Sequence, residues 1–100
     1  MLIKILRNDF YLNMYASDNP PYEENCDSVC GFNLFSENGV YVDGGEFDYN
    51  SNEIKTDDEL AKALIKWYFN AESSYEFIAE TDDCSYEDFD ELLEENDIKL

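Results

Sequence analysis

The residues of this chain best suited to chemistry are carboxylates, and they are densest in its last fifth. Glu87, Glu91 and Glu95 recur at every fourth position, and Asp90 and Glu94 continue the same ridge. On a helix, side chains four residues apart lie ~6 Å apart along the axis. That spacing is comparable to the path between phosphates of a nucleic-acid strand, ~3.4 Å of axial rise plus the sideways winding. The pattern is typical of an imitated phosphate backbone, and equally of the solvated face of a surface helix.

This predicted helix places acid beside acid, which weakens an isolated helix by a few tenths of a kcal/mol per pair. A helix that accepts this cost is suited to a strongly basic partner, whose cations relieve the repulsion. Acids before and after the ridge extend the charge. The residues predicted to contact the partner here are Asp82, Asp83, Glu87, Asp88, Asp90, Glu91, Glu94 and Glu95.

A second acidic set lies in a loop predicted over residues 16–27, which Pro20 and Pro21 hold open. A tyrosine ring gives contact area at an interface, and a neighbouring carboxylate pairs with arginine. The alternative is a loop whose acids are simply solvated. The residues predicted to bind a partner in this loop are Tyr22, Glu23, Glu24 and Asp27. A third and equally ambiguous set is Asp43, Glu46 and Asp48 on the following hairpin.

A calcium-binding loop is the competing interpretation of one segment. Positions 1, 3, 5 and 12 of an EF-hand loop would be filled by Asp48, Asn50, Asn52 and Glu59. Position 6 requires glycine for its sharp turn, but this chain has Glu53 there. The segment before the loop also has the pattern of a strand, and Glu59 belongs to a helix-capping motif. We therefore expect no metal site, with these four residues as the weak alternative.

Catalysis has little support in the sequence. The chain has no histidine, and it has no nucleophile elbow or glycine-rich phosphate loop. Its three cysteines, Cys26, Cys30 and Cys84, are an odd number and too few for a typical four-ligand zinc site. We expect free thiols, although Cys26 and Cys30 could close a local bridge. The sequence predicts a protein that is not an enzyme and needs no cofactor.

Composition indicates a folded, highly charged domain. Twenty-five acids against six bases give a formal charge of −19, which disfavours direct binding of nucleic acid or of an anionic membrane. Residues 18–54 hold nine acids and no base, residues 55–69 are neutral, and residues 70–100 hold twelve acids and one lysine. Apolar residues make up 44% and aromatic residues 16%, enough to order a core. We expect one domain over 1–100, with no membrane span or signal peptide, in the cytoplasm.

The pattern of elements predicts an α+β fold. Runs at 2–7, 10–15 and 29–35, a return from Val40 and a run at 75–79 are typical of strands, with Gly44 and Gly45 marking a reversal or bulge. Thr56 to Glu59 forms a capping box that opens a helix. Its predicted apolar stripe is Leu60, Ala63, Leu64, Trp67 and Tyr68. A second N-cap at Ser85 precedes a helix with Phe89, Leu92 and Leu93 inward. We expect an antiparallel sheet with both helices packed mainly on one face.

In size, charge and layout the chain resembles small, acidic, phage-encoded inhibitors that mimic DNA, including many anti-CRISPR proteins. The resemblance rests on the segment SYEDFDELLEEND and on the acidic hairpins. It implies stoichiometric inhibition, in which carboxylates occupy the Arg/Lys groove of a nucleic-acid-binding effector in the host cytoplasm. These inhibitors share no common fold, so no functional residue is carried over. An apolar sheet face that two short helices left uncovered could support a homodimer. The remaining alternatives are a calcium-binding module and a general interaction module that uses the tyrosine-rich sheet.

Overall fold

The computed structural model describes residues 1–81 and 86–98. Within them the chain forms five strands and two helices, one helix between the fourth and fifth strands and the other after the fifth. This arrangement confirms the α+β class. The elements, in chain order, are β1 (Leu2–Ile5), β2 (Phe10–Ala16), β3 (Ser28–Phe35), β4 (Tyr41–Tyr49), α1 (Asp57–Phe69), β5 (Tyr75–Ala79) and α2 (Phe89–Glu95).

The strands form one antiparallel sheet in the order β4-β3-β2-β1-β5. The β1–β2 turn contains Asp9 at φ 54, and the β3–β4 turn contains Gly39 at φ 81, so each tight reversal uses a left-handed residue. Both hairpins were predicted. β4 runs unbroken through Gly44 and Gly45, however, so the predicted reversal there is wrong. The irregularity in register lies opposite Leu34 and Phe35 instead.

Helix α1 covers one face of the sheet. Thr56 caps it by accepting a hydrogen bond from the backbone N–H of Glu59 at 3.1 Å, as the capping box predicted. Its buried side packs against strand residues that alternate along β1, β2 and β3. This cluster contains Ile3, Ile5, Leu12, Met14, Cys30, Phe32, Leu34, Leu60, Ala61, Leu64 and Ile65.

The apolar stripe predicted for α1 is correct at its centre and wrong at its end. Ala61 and Ile65 are buried where Ala63 and Trp67 were expected. Trp67 is 54% exposed and lies against the edge of the sheet, with its ring centroid 5.2 Å from that of Phe47. The side of α1 that faces the sheet is therefore formed by Leu60, Ala61, Leu64 and Ile65, which all belong to the buried cluster.

Helix α2 packs on the opposite face. Its cluster contains Leu2, Tyr11, Phe35, Phe89 and Leu92, which point away from the α1 cluster because neighbouring strand positions alternate between faces. The two helices therefore do not share a face, contrary to expectation. The α1 side of the sheet is apolar at its centre, whereas the α2 side also carries the buried polar residues Asn13 and Asn33.

Helix α2 is shorter than predicted. Its N-cap is Asp88, whose carboxylate accepts from the backbone N–H groups of Asp90 at 3.0 Å and Glu91 at 3.5 Å. The helix consequently begins at Phe89, and Ser85, the predicted cap, lies outside the described residues. Phe89 and Leu92 are buried and Leu93 is half-buried, as predicted.

Residues 1–81 and 86–98 contain two helices, α1 and α2. Neither helix is long and apolar enough to cross a bilayer.

Candidate functional site

The sheet face that carries α2 also carries acidic side chains of β4 and the loop over residues 17–27; we call it the acidic face. Glu46 and Asp48 lie on it because they pair with Gly31 and Val29, which alternate with the Cys30 and Phe32 of the other face. The acids of β4 and those of α2 are therefore on the same side of the sheet, although α1 and β5 separate the two elements in the sequence.

Glu46 fixes the start of the loop. Its carboxylate accepts from the Ser17 hydroxyl at 2.6 Å and from the Asn19 side-chain amide at 3.0 Å. These bonds hold the chain leaving β2 against β4, so Asp18, which lies between their donors, is exposed at the rim of the acidic face.

Asp48 fixes the middle of the loop. Its Oδ2 accepts from the backbone N–H groups of Tyr22 at 2.8 Å and Glu23 at 3.0 Å. The side chains of Tyr22, Glu23 and Glu24 remain exposed, and Tyr22 is 88% exposed. The structure thus presents these three predicted loop residues to solvent, as it does the fourth, Asp27, on a segment held by hydrogen bonds.

Asp27, the fourth, is exposed and also accepts hydrogen bonds within the protein. Its carboxylate accepts from the Ser51 backbone N–H at 2.8 Å and hydroxyl at 2.7 Å, and from the Ser28 hydroxyl at 3.1 Å. The Ser51 bonds lower the pKa of Asp27 from its ordinary value, with the backbone N–H contributing most. These bonds join the loop to the β4–α1 turn, and the role of Asp27 as a partner contact stays a prediction.

The acids of α2 are all exposed. Asp90, Glu91 and Glu94 face solvent, and Glu95 also accepts a hydrogen bond from the Tyr86 hydroxyl. The pairs 90/94 and 91/95 keep the predicted four-residue spacing on one helix. The predicted row of Glu87, Glu91 and Glu95 is not entirely helical, however, because Glu87 precedes the N-cap residue Asp88. The predicted contacts Asp82 and Asp83 lie outside the described residues.

Two lysines, Lys62 and Lys66, lie on the other side of the sheet, on α1. Among residues 1–81 and 86–98, salt bridges join Lys62 to Asp58 at 3.2 Å and Lys66 to Glu72 at 3.8 Å, beside α1. The pKa of Asp58 is lowered by the hydrogen bond from the Tyr75 hydroxyl and then by Lys62. The acidic face has Lys4, whose Nζ lies 5.9 Å from the Tyr11 ring centroid.

The calcium alternative is not supported by the positions of its four residues. Asp48 holds Tyr22 and Glu23, and the Asn50 side chain accepts from the Asn52 N–H at 2.9 Å. Glu59 lies in the α1 cap. Across the described part of the chain, no group of three or more Cys, Asp or Glu side chains is arranged to hold a metal ion.

The described cysteines are free thiols, as expected. Cys30 is buried on the α1 face, and burial raises its pKa to about 11. The pKa of Cys26 is also raised, by desolvation first and then by the carboxylate of Asp48. Both thiols are consequently protonated and weak nucleophiles at neutral pH.

A pocket of about 490 Å³ opens on the acidic face beside the loop. The ring of Tyr15 lies across Gly31, and the hydroxyl of Tyr41 lies over Gly44; an added Cβ at either glycine would collide with the tyrosine. Asn33 lies at its base. Sequence reasoning missed this pocket, although Asn13 and Asn33, polar residues in the middle of apolar strands, were a usable signal.

No family model, curated protein or solved structure matches this chain.

Proposed function

We propose that this chain is a stoichiometric, non-catalytic inhibitor whose acidic face imitates nucleic acid and blocks the basic DNA-binding groove of a CRISPR–Cas effector or a similar host defence complex. The observation that carries the proposal is the gathering of the acids of α2 and of the loop on one face, while the lysine-bearing α1 lies on the other. A protein that used its charge only for solubility has no need of this division.

The mechanism begins with electrostatic steering. A net charge of −19 draws the chain toward a cationic groove, and the acidic face then forms charge-assisted hydrogen bonds with its arginines and lysines. Hydrogen bonds that the loop donates to the carboxylates of Glu46 and Asp48 hold it before binding, which reduces the entropy lost on association. The complex occupies the surface that otherwise contacts phosphates, in the cytoplasm of the host cell.

The test is competition for DNA. Guide-loaded CRISPR effectors of several types are incubated with labelled target DNA, and bound DNA is measured by fluorescence anisotropy as the chain is added. We expect one effector to lose its DNA near one equivalent of the chain. Raising the salt from about 50 to 200 mM should weaken the complex steeply, because screened charges supply its affinity.

Matched variants connect the effect to the acidic face. Glu91→Gln with Glu94→Gln removes two exposed charges from α2 and should weaken inhibition by about tenfold or more. Glu59→Gln with Glu72→Gln removes the same charge beside α1, and glutamine at position 59 is compatible with the capping box. Equal weakening by both double variants would contradict the proposal, as would full retention of DNA by every effector.

One observation favours a second candidate, a general interaction module. Val40, Tyr41 and Val42 are consecutive exposed apolar residues at the start of β4, 63%, 42% and 48% exposed. A partner bound there would be lost on Val40→Ser with Val42→Ser and retained in the α2 charge variant. An inhibitor of the proposed type should give the opposite result.

A further inference from the structure

Strand β4 forms one edge of the sheet, and its main chain is open on the outer side. None of its nine residues is buried, in contrast to β3 beside it. The other edge strand, β5, has five residues and an irregular register against β1, and short or irregular edges are poor templates for pairing. Beyond the irregularity near its start, β4 runs regularly from Asp43 to Tyr49. It is therefore the edge more open to a further strand.

Hydrogen bonds show which main-chain groups of β4 point outward. Met1 and Met14 exchange both main-chain hydrogen bonds, at 2.6 and 2.8 Å. Neighbouring residues of an antiparallel strand direct their N–H and C=O groups to opposite sides. Carried through the registers of β2, β3 and β4, this alternation directs the main-chain groups of Gly44, Glu46 and Asp48 away from β3.

These outward groups have no main-chain partner within the described residues. The Gly44 N–H donates to the carboxylate of Asp43 at 2.8 Å instead of to β3, which agrees with its outward direction. The loop over residues 17–27 comes close, but its hydrogen bonds at this edge end on the carboxylates of Glu46 and Asp48. The N–H and C=O groups of these two residues therefore remain available to an added strand.

The side chains along this edge differ between the two faces of the sheet. On the acidic face, Asp48 Oδ1 accepts no hydrogen bond within residues 1–81 and 86–98, because the loop donates to Oδ2. On the α1 face, Phe47 lies beside Trp67, which is 54% exposed. Residues 18–54, which include all of β4, contain nine acids and no base. An added strand would meet negative charge on one side and aromatic surface on the other.

These two sides select the side chains of an added strand. Residues opposite Glu46 and Asp48 would point to the acidic face, where lysine or arginine complements the carboxylates. The residue opposite Phe47 would point toward Trp67, where an apolar side chain is complementary. Because successive side chains of a strand alternate between faces, the fitting sequence alternates basic and apolar residues. A second copy of this chain is disfavoured, since each copy carries a charge of −19.

We infer that the open edge of β4 binds an extended segment of the partner protein, in which basic and apolar residues alternate, as a further strand of the sheet. The inference rests on the proposed function, because it names the form in which the partner presents its cations to the acidic face. It adds main-chain hydrogen bonds to an interface otherwise made of exposed, solvated charges.

The experiment uses a short peptide as the probe and requires no partner. The ¹⁵N-labelled chain, at about 150 mM salt to screen nonspecific attraction, is mixed with acetyl-Lys-Val-Lys-Val-Lys-Val-Lys-amide. Hydrogen exchange of single backbone amides is followed by NMR. Acetyl-Lys-Lys-Val-Val-Val-Lys-Lys-amide, which has the same composition without the alternation, is the matched probe. We expect the alternating peptide to slow exchange at Glu46 and Asp48 by about tenfold or more, and the matched probe to bind about tenfold more weakly.

Two pairs of variants complete the test. Glu46→Pro and Glu46→Ala remove the same carboxylate, but only proline also removes the outward N–H. Because proline is tolerated where an edge N–H faces solvent, Glu46→Pro should fold and should bind the peptide about tenfold more weakly than Glu46→Ala. Trp67→Ala should weaken binding about tenfold, whereas Phe77→Ala, which removes a 56% exposed ring at the β5 edge, should have no effect. The dispersion of the amide spectrum reports folding, and the second pair decides the result if Glu46→Pro unfolds.

Equal slowing of exchange by both peptides, or none at Glu46 and Asp48, would overturn the inference. So would equal binding by a folded Glu46→Pro and Glu46→Ala, or by Trp67→Ala and the parent chain. Analytical ultracentrifugation of the free chain tests the second copy, because a dimer in which these two amides are already protected would assign the edge to self-association instead.

These outcomes are separate from the DNA competition. Inhibition without peptide binding leaves the proposed inhibitor and removes the strand site. Peptide binding without inhibition leaves a strand-binding edge on a protein of another function.

Discussion

Acidic side chains that look alike in the sequence have two different roles in the molecule. Asp27, Glu46 and Asp48 accept hydrogen bonds from the loop and from the turn after β4, and so build the surface. Glu91 and Glu94 are exposed on α2 and are available to a partner. Substitution of the first group should change stability, and substitution of the second should change binding.

The prediction at this scale concerns Asp27 and pH. Its folded pKa is lowered from 3.8, so the charged form stabilises the fold above that pH, and this contribution is lost as the pH falls through the lower folded value. Asp27→Asn should therefore lower the melting temperature at pH 7. The difference from the parent chain should begin to shrink below about pH 4, where the unfolded parent takes up a proton, and should shrink further as the pH approaches the lower folded pKa.

Thermal melting by circular dichroism from pH 3 to 7 measures this difference. Because the general relief of repulsion in acid acts on both chains, it cancels in the comparison. Glu24→Gln, an exposed change in the same loop, serves as the control. A gap between Asp27→Asn and the parent that stayed constant across this range would contradict the assigned role.

At the scale of elements, the helices differ in what stabilises them. α1 has a capping box at Thr56, a left-handed C-cap at Asn70 with φ 53, and a buried apolar side. α2 has seven residues, acids in its first turn and no base in its last turn. Its helical form therefore depends on packing of Phe89 against Tyr11 and Phe35, at ring-centroid distances of 4.6 and 5.2 Å.

Two substitutions at Thr56 measure the contribution of the α1 cap. Thr56→Ala removes the oxygen that accepts from Glu59 N–H and should lower the free energy of unfolding by about 1 kcal/mol. Thr56→Ser retains this oxygen and should lower it by much less. Urea unfolding of the three chains gives the comparison. Equal losses for alanine and serine would show that packing of the threonine methyl matters more than the cap.

At the scale of the whole molecule, the charge is divided between two sides of a sheet. The side with α1 has two lysine–carboxylate pairs, and the side with α2 carries exposed acids of α2 and of the loop that form no salt bridge within the described residues. Mutual repulsion on the acidic face opposes folding. The molecule measures 39 × 26 × 21 Å, so at about 10 mM salt, where the Debye length is ~30 Å, this repulsion acts across most of its width.

The free protein should consequently become more stable as salt rises. We expect its melting temperature to increase by several degrees between about 10 and 150 mM NaCl, where the Debye length falls to ~8 Å. Glu91→Gln with Glu94→Gln should reduce this increase more than Glu59→Gln with Glu72→Gln does. A melting temperature independent of salt would mean that the charges are already compensated within the fold. This direction is opposite to that expected for the complex.

The sequence alone determined what local chemistry controls. Period-two runs and turn residues predicted the strands and both hairpins, and the capping box at Thr56 predicted the start of α1. These signals succeed because backbone preferences and neighbouring side chains within a few residues are sufficient to produce them. The start of α2 was predicted wrongly. The sequence suggested a cap at Ser85, but the carboxylate of Asp88, directly before the buried Phe89, accepts hydrogen bonds from the first N–H groups of the helix.

Only the tertiary structure decided which side of the sheet each element occupies. Face is set by strand register, and a shift of one residue exchanges the two sides. Register joins residues distant in the chain, as when Gly31 pairs with Glu46 and Asn13 with Asn33. For this reason the acids could be counted, and their helical spacing predicted, from the sequence alone. The sequence could not show that two acidic segments share one face, or that Asn33 lines a pocket beside the loop.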